Sequence, residues 1–183
     1  MDIRYLDDIR EVLYDKEWAK TAPNLELYYM DRMTEEKNGL RYDLTTIPAL
    51  MLGKEFVKTK GHYHSGNYGE AYIVLEGEGI YLMQKGSNEI EDVYAVKAGK
   101  GDVIIVPAGY GHVTINPSDK DLKMANWVKK EEKGDYSLFE NKGGACYFYT
   151  NGGWIKNENY KNTPPLRFEK PLKSLPEDLS FLN

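Results

Sequence analysis

Beyond Pro23 the chain breaks into short runs rich in β-branched, aromatic and other apolar residues, over 25–30, 40–47, 55–59, 70–77, 79–85, 92–96, 102–106, 112–116, 124–128, 145–150 and 154–157. Runs of this length suit strands with a buried face better than helices. Turn formers separate them: Gly77 and Gly79, Gly86-Ser87-Asn88, Gly99 and Gly101, Asn116-Pro117, and Asn151-Gly152-Gly153. Many short strands at close spacing predict an all-β barrel or sandwich. Residues 1–20 read two ways. Ile3, Leu6, Ile9 and Leu13 fit a helix, the Tyr, Ile and Val content fits extension, and Lys16 to Lys20 is the helical part. Pro164, Pro165, Pro171 and Pro176 predict a C-terminal arm that wraps the domain without regular structure. One domain is expected, with an N-terminal extension over 1–39, a barrel over 40–156 and the arm over 157–183.

Composition narrows the function classes. A net charge of −5 argues against a nucleic-acid partner, because phosphate binding needs concentrated positive charge. No apolar run reaches the ~18 residues of a membrane helix, so no membrane partner is expected. Cys146 is the single cysteine and has no partner for an internal disulfide, and the opening MDIRYLDDIR does not read as a signal peptide. Both point to the cytoplasm. The 15 tyrosines against 5 phenylalanines suit strands with one wet face or a polar pocket.

The chemistry lies in the histidines, of which there are three. His62 and His64 stand in GHYHSGNYGE, two apart, and on a strand they would present two imidazoles to one face. Glu70 follows a glycine-bearing turn that could return its carboxylate to the same place, and His112, in PAGYGH, would complete the set from a distant strand. Three imidazole nitrogens and one carboxylate oxygen suit divalent iron, manganese, nickel or zinc, and six-coordinate geometry would leave two positions open for water or substrate.

The stretch from Gly101 through Pro107, Gly109 and His112 to Asn116 reproduces the second signature of the cupins at every fixed position. His62, His64, Glu70 and Gly77 match the first signature, with a turn between His64 and Glu70 longer than usual. The chain thus resembles cupins, which implies a double-stranded β-helix, or jelly-roll, barrel with the metal facing its interior. The flanks narrow the resemblance. KEFVKTKGHYH, EAYIVLEGEGIYLMQ and VIIVPAGYGHVTIN, convincing over about 45–136, look like the cupin-type glucose-6-phosphate isomerase of archaea and some bacteria. That resemblance implies interconversion of glucose 6-phosphate and fructose 6-phosphate by a homodimer, with one divalent metal per subunit, often iron.

It also implies roles. Glu70 becomes ligand and candidate base, Tyr72 a sugar-site tyrosine on the same face, and Thr59, Gly61 and one of Thr45 or Thr46 the phosphate site. A tyrosine expected at Gly109 is replaced there, with Tyr110 next to it as a substitute, and a His-Asp-Tyr run reads Gly134-Asp135-Tyr136, leaving Tyr136 as a sugar contact. A metal that binds both oxygens of an open-chain sugar permits either proton transfer or a hydride shift, and both stay open. The charge run from Lys129 to Lys133 reads as a solvated loop. Two other classes share the motifs: a cupin dioxygenase or isomerase of unphosphorylated sugars, and a non-catalytic ligand-binding cupin.

Overall fold

In the computed structural model, which describes residues 1–183, the strands are β1 (Asp2–Tyr5), β2 (Glu26–Lys37), β3 (Leu40–Ile47), β4 (Met51–Leu52), β5 (Glu55–Phe56), β6 (Tyr63–His64), β7 (Glu70–Glu76) and β8 (Glu78–Gly86). They continue as β9 (Ile90–Gly99), β10 (Val103–Val106), β11 (Gly111–Ile115), β12 (Leu122–Lys129), β13 (Gly134–Asp135), β14 (Tyr147–Thr150), β15 (Gly153–Lys156) and β16 (Arg167–Glu169). Two helices, α1 (Lys16–Thr21) and α2 (Ser137–Lys142), interrupt them. One sheet runs β1-β2-β3-β12-β7-β10 and a second β11-β8-β9-β16, with small sheets β13-β6 and β15-β14-β5-β4. Inward side chains of both large sheets merge into one cluster of 31 buried residues, including Ile47, Val74, Leu82, Met83 and Val113. This is the all-β double-sheet barrel that the strand pattern and turn signals predict.

Period-two alternation decides what faces the interior. On β3, Asp43, Thr45 and Ile47 are buried while their neighbours are less so, and on β7 the buried series is Glu70, Tyr72 and Val74, with Ala71 also covered. Residues opposite one another across β3, β12 and β7 therefore form rows: Asp43, Asn126 and Tyr72 in one, Arg41, Val128 and Glu70 in the next. β2 is irregular between Asp31 and Glu35, where Met33 takes a φ of 56° and donates its N–H to Asp43 Oδ1 at 2.7 Å.

Three departures from the sequence expectations have local causes. The first 39 residues are continuous with the barrel, since β1 and β2 extend its larger sheet; α1 is helical where expected, capped by Asp15 Oδ1 accepting from the Trp18 N–H. Helix α2 went unpredicted because six residues are too few to display a period. The proline-bearing tail does carry regular structure, a correction to the irregular arm. Its Arg167–Glu169 stretch lies between prolines rather than on one, so its N–H groups are free to pair in parallel with Tyr94–Val96 of β9.

The loop that leads to the first histidine rests on a buried ion pair. Glu55 and Lys58 side chains are 1% and 4% exposed and bonded to each other. Glu55 Oε2 also accepts from the Tyr14 N–H at 2.8 Å, and Lys58 Nζ donates to the Val12 carbonyl at 2.8 Å. Glu55→Gln leaves the ammonium buried without its counter-charge and is expected to lower stability by about 3–5 kcal/mol. Urea unfolding reads this directly, and adding Lys58→Met to Glu55→Gln should recover most of the loss.

Candidate metal centre

His62 precedes β6, and its backbone exchanges hydrogen bonds with His112 on β11, N–H to O at 3.2 Å one way and 3.0 Å the other. Two residues separated by fifty positions are thereby locked side by side. β6 turns His64 to the same side, and the turn over 65–69 returns the chain so that Glu70, the first residue of β7, faces them. One potential ligand atom from each of His62, His64, Glu70 and His112 lies within 4.8 Å of all the others. The imidazole rings are 4.5–5.5 Å apart between centroids.

The surrounding bonds orient these groups. His64 Nδ1 donates to the Tyr68 carbonyl at 2.8 Å, which directs Nε2 to the cluster, the usual outer support of a metal-binding imidazole. Glu70 Oε2 is 3.0 Å from His64 Nε2 and 3.2 Å from His112 Nε2. Tyr72 Oη is 3.2 Å from the same His112 nitrogen, while His112 Nδ1 is buried without a hydrogen-bond partner. Burial works against charge throughout. It holds His62 well below the ordinary histidine value, helped by the His112 imidazole. For His64 burial lowers the pKa, but the hydrogen bond to Glu70 and the charge of that carboxylate, with the Tyr68 carbonyl and Glu132 adding, raise it to about 9. Burial would raise Glu70, but the hydrogen bonds from His112 and His64 hold it far below the carboxylate range. A carboxylate enclosed by three imidazoles, one of them oriented by a carbonyl behind it, fits a divalent first-row transition metal.

A small cavity of about 60 Å³ adjoins the cluster. His62, Glu70, Tyr72 and His112 line it, and so do Thr45, Thr59, Gly61 and Tyr136. Thr59 Oγ1 also accepts the Thr114 N–H at 3.0 Å, and the Tyr136 ring lies 5.5 Å from that of His62. Thr46 is not in the cavity: strand parity turns it to the other face of β3. Nor is Tyr110. It belongs to the turn ahead of β11, where strand alternation does not apply, and its hydroxyl donates to Asp92 Oδ2 at 2.8 Å, beside Tyr94 and Arg167.

Sequence reasoning missed several polar lining residues, among them Arg4, Tyr28, Arg32, Arg41, Asp43 and Asn126. They come from β1, β2, β3 and β12, and the shared parity of Arg41, Asp43, Thr45 along β3 was the one available signal. Arg4 Nε is buried without a partner. Glu132 corrects the reading of 129–133 as a solvated loop, because Arg41 draws it inward and its side chain is 5% exposed. Burial raises its carboxyl above the ordinary value, with His64 opposing and Glu70 adding to the shift.

The family described as glucose-6-phosphate isomerase (GPI) matches residues 12–165. The glucose-6-phosphate isomerase of Thermococcus litoralis is 31% identical over 168 residues, covering 87% of this chain and 86% of that protein. That of Pyrococcus horikoshii is 29% identical over 171 residues, covering 87% and 88%. Among solved structures, the cupin domain of Schizosaccharomyces pombe Cnp3 overlaps with a TM-score of 0.43 at 12% identity, over 69% of this chain and 78% of that one.

Proposed function

This chain belongs to the glucose-6-phosphate isomerase family, and from that premise we propose that it interconverts glucose 6-phosphate and fructose 6-phosphate in the cavity beside His62, His64, Glu70 and His112. The observation that carries the reading is the convergence of these four residues within 4.8 Å, three of them, His62, Glu70 and His112, on the wall of a cavity also lined by arginines and tyrosines. The four residues would hold a divalent metal, and that metal would supply Lewis acidity at the carbonyl end of the open-chain sugar. Iron is the first candidate, with manganese, nickel and zinc as the others.

The chain's own residues divide the remaining work. Glu70 is assigned as the base of a proton-transfer route, ligand in one state and base in another, accepting the C2 proton and returning it to C1. Tyr72, whose hydroxyl already meets His112, holds the sugar oxygen nearest that histidine. The phosphate dianion is assigned to the end formed by Arg4, Tyr28, Thr45, Thr59 and Gly61, where a guanidinium, hydroxyls and a backbone N–H can share its charge. Tyr136 closes that end over His62.

The chain is further proposed to act as a cytoplasmic homodimer on the glycolytic and gluconeogenic route. β1 is an edge strand of the larger sheet and open to pairing with a second copy. Cys146 is buried and its thiol is pushed up to about 12 by that burial, so it stays an unreactive thiol. No helix is long and apolar enough to cross a membrane.

The direct test couples conversion of fructose 6-phosphate to a glucose 6-phosphate readout, with metal-loaded protein beside an EDTA-treated control. Turnover that vanishes with the chelator and returns on adding metal is the expected result. A folded, metal-loaded sample without turnover would overturn the assignment and redirect the search to unphosphorylated sugars and oxygen chemistry.

A further inference from the structure

Glu132 is the buried carboxylate that the chemistry above leaves without a task. It follows β12 on the turn to β13 and lines the same cavity as Glu70 and Tyr72. Its Oε2 lies 3.5 Å from Arg41 Nη2, and its Oε1 is buried with no hydrogen-bond partner in the protein. A carboxylate oxygen in that condition is costly and rare.

Arg41 holds it there. Nη1 donates to the carbonyls of Lys130 at 3.1 Å and Glu132 at 3.0 Å, and Nε donates to Asp43 Oδ2 at 2.9 Å. Asp43 Oδ1 takes the Met33 N–H. Within this network Glu132 Oε1 is the buried acceptor left without a partner. Arg41, Val128 and Glu70 lie in one row across β3, β12 and β7, so the residue that anchors Glu132 stands about two strand spacings, roughly 10 Å, from the metal-ligand carboxylate. A carbon chain held at Glu70 through C1 and C2 can reach across that gap. Its donors to a carboxylate are its hydroxyls.

We infer that Glu132 Oε1 accepts a hydrogen bond from one hydroxyl at C3, C4 or C5 of the open-chain sugar, making Glu132 a substrate-positioning residue that sets which polyols the site accepts. The inference rests on the isomerase reading and gives the part of the cavity lining formed by Arg41 and Glu132 a stereochemical role. It also accounts for a carboxylate in a pocket that must admit a phosphate. Arg41 screens it, and the three guanidinium groups of Arg4, Arg32 and Arg41 keep the cavity attractive to an anion.

The test measures kcat/KM for glucose 6-phosphate and its 3-deoxy, 4-deoxy and 5-deoxy analogues, with metal-loaded wild type, Glu132→Ala and Glu132→Gln. On glucose 6-phosphate the alanine variant should lose roughly 10- to 100-fold, the range for a hydrogen bond to a charged acceptor. On one analogue, the one that lacks the partner hydroxyl, the loss should shrink below about threefold. Glu132→Gln keeps the shape of the side chain and carries the same comparison should the alanine variant fail to fold. Equal losses on all four sugars, or none on any, would overturn the role of Glu132 while leaving the isomerase reading standing. A wild type inactive on every one of the sugars would overturn both.

Discussion

Replacing His112 by alanine is expected to abolish metal loading and to lower kcat/KM by at least about 10³-fold, the scale of losing Lewis-acid assistance, while the barrel stays folded. The imidazole supplies one of four ligands that lie within 4.8 Å of one another, and three ligands hold a divalent ion far less tightly. What joins β11 to the stretch before β6 is main-chain hydrogen bonding between His62 and His112, which alanine preserves. Elemental analysis of purified protein, run beside circular dichroism, gives the answer. An alanine variant that keeps a full complement of metal and most of its turnover would remove His112 from the ligand set.

The second large effect belongs to a residue with no side chain. Gly61 sits at φ +82°, and a Cβ there would come within 2.5 Å of Val113 Cγ2 and 2.9 Å of the Phe139 ring. Gly61→Ala therefore combines a left-handed backbone penalty of roughly 1–2 kcal/mol with overpacking of roughly 1–3 kcal/mol. Because the next residue is His62, relief of the clash displaces a ligand, and an error of about 1 Å is enough to cost about 10²-fold in rate. Both the melting temperature and kcat/KM should fall. Adding Val113→Ala should restore part of the stability by removing the nearer clash, but not the portion due to φ. A Gly61→Ala protein as stable and active as the parent would show that the loop relaxes without moving His62.

The parts of the molecule legible in the sequence are those governed by local periodicity or by rare residues. Strands such as β7, β8 and β12 announce themselves because each is a run of apolar residues bounded by turn formers. The cluster of His62, His64, Glu70 and His112 was legible because histidine is scarce here and each one stands in a strand-and-turn setting. Parity was the recoverable uncertainty: Thr45 and Thr46 are equivalent in composition, and only the register of β3 turns Thr45 inward. Tyr110 failed for a related reason, since a residue in a turn inherits no face from the strand that follows. Glu132 was illegible because nothing in a run of lysines and glutamates reveals that Arg41, ninety-one positions earlier, reaches over to its carbonyl. Arg4 and Arg32 are the same kind of case, brought to the cavity by strand pairing between distant segments.

The parallel pairing of β16 with β9 has a consequence for how the protein is made. The outer edge of β9 is complete once Gly99 has been synthesised, but the residues that cover it, Arg167–Glu169, come 70 positions later. At translation speeds of about 5–20 residues per second, that edge stays bare for roughly 4–14 seconds on every ribosome. During that interval a neighbouring nascent chain competes with the protein's own tail for the same row of backbone donors and acceptors. Polysomes are therefore where this fold is most exposed to misassembly, and the tail acts as the late closure that ends the exposure.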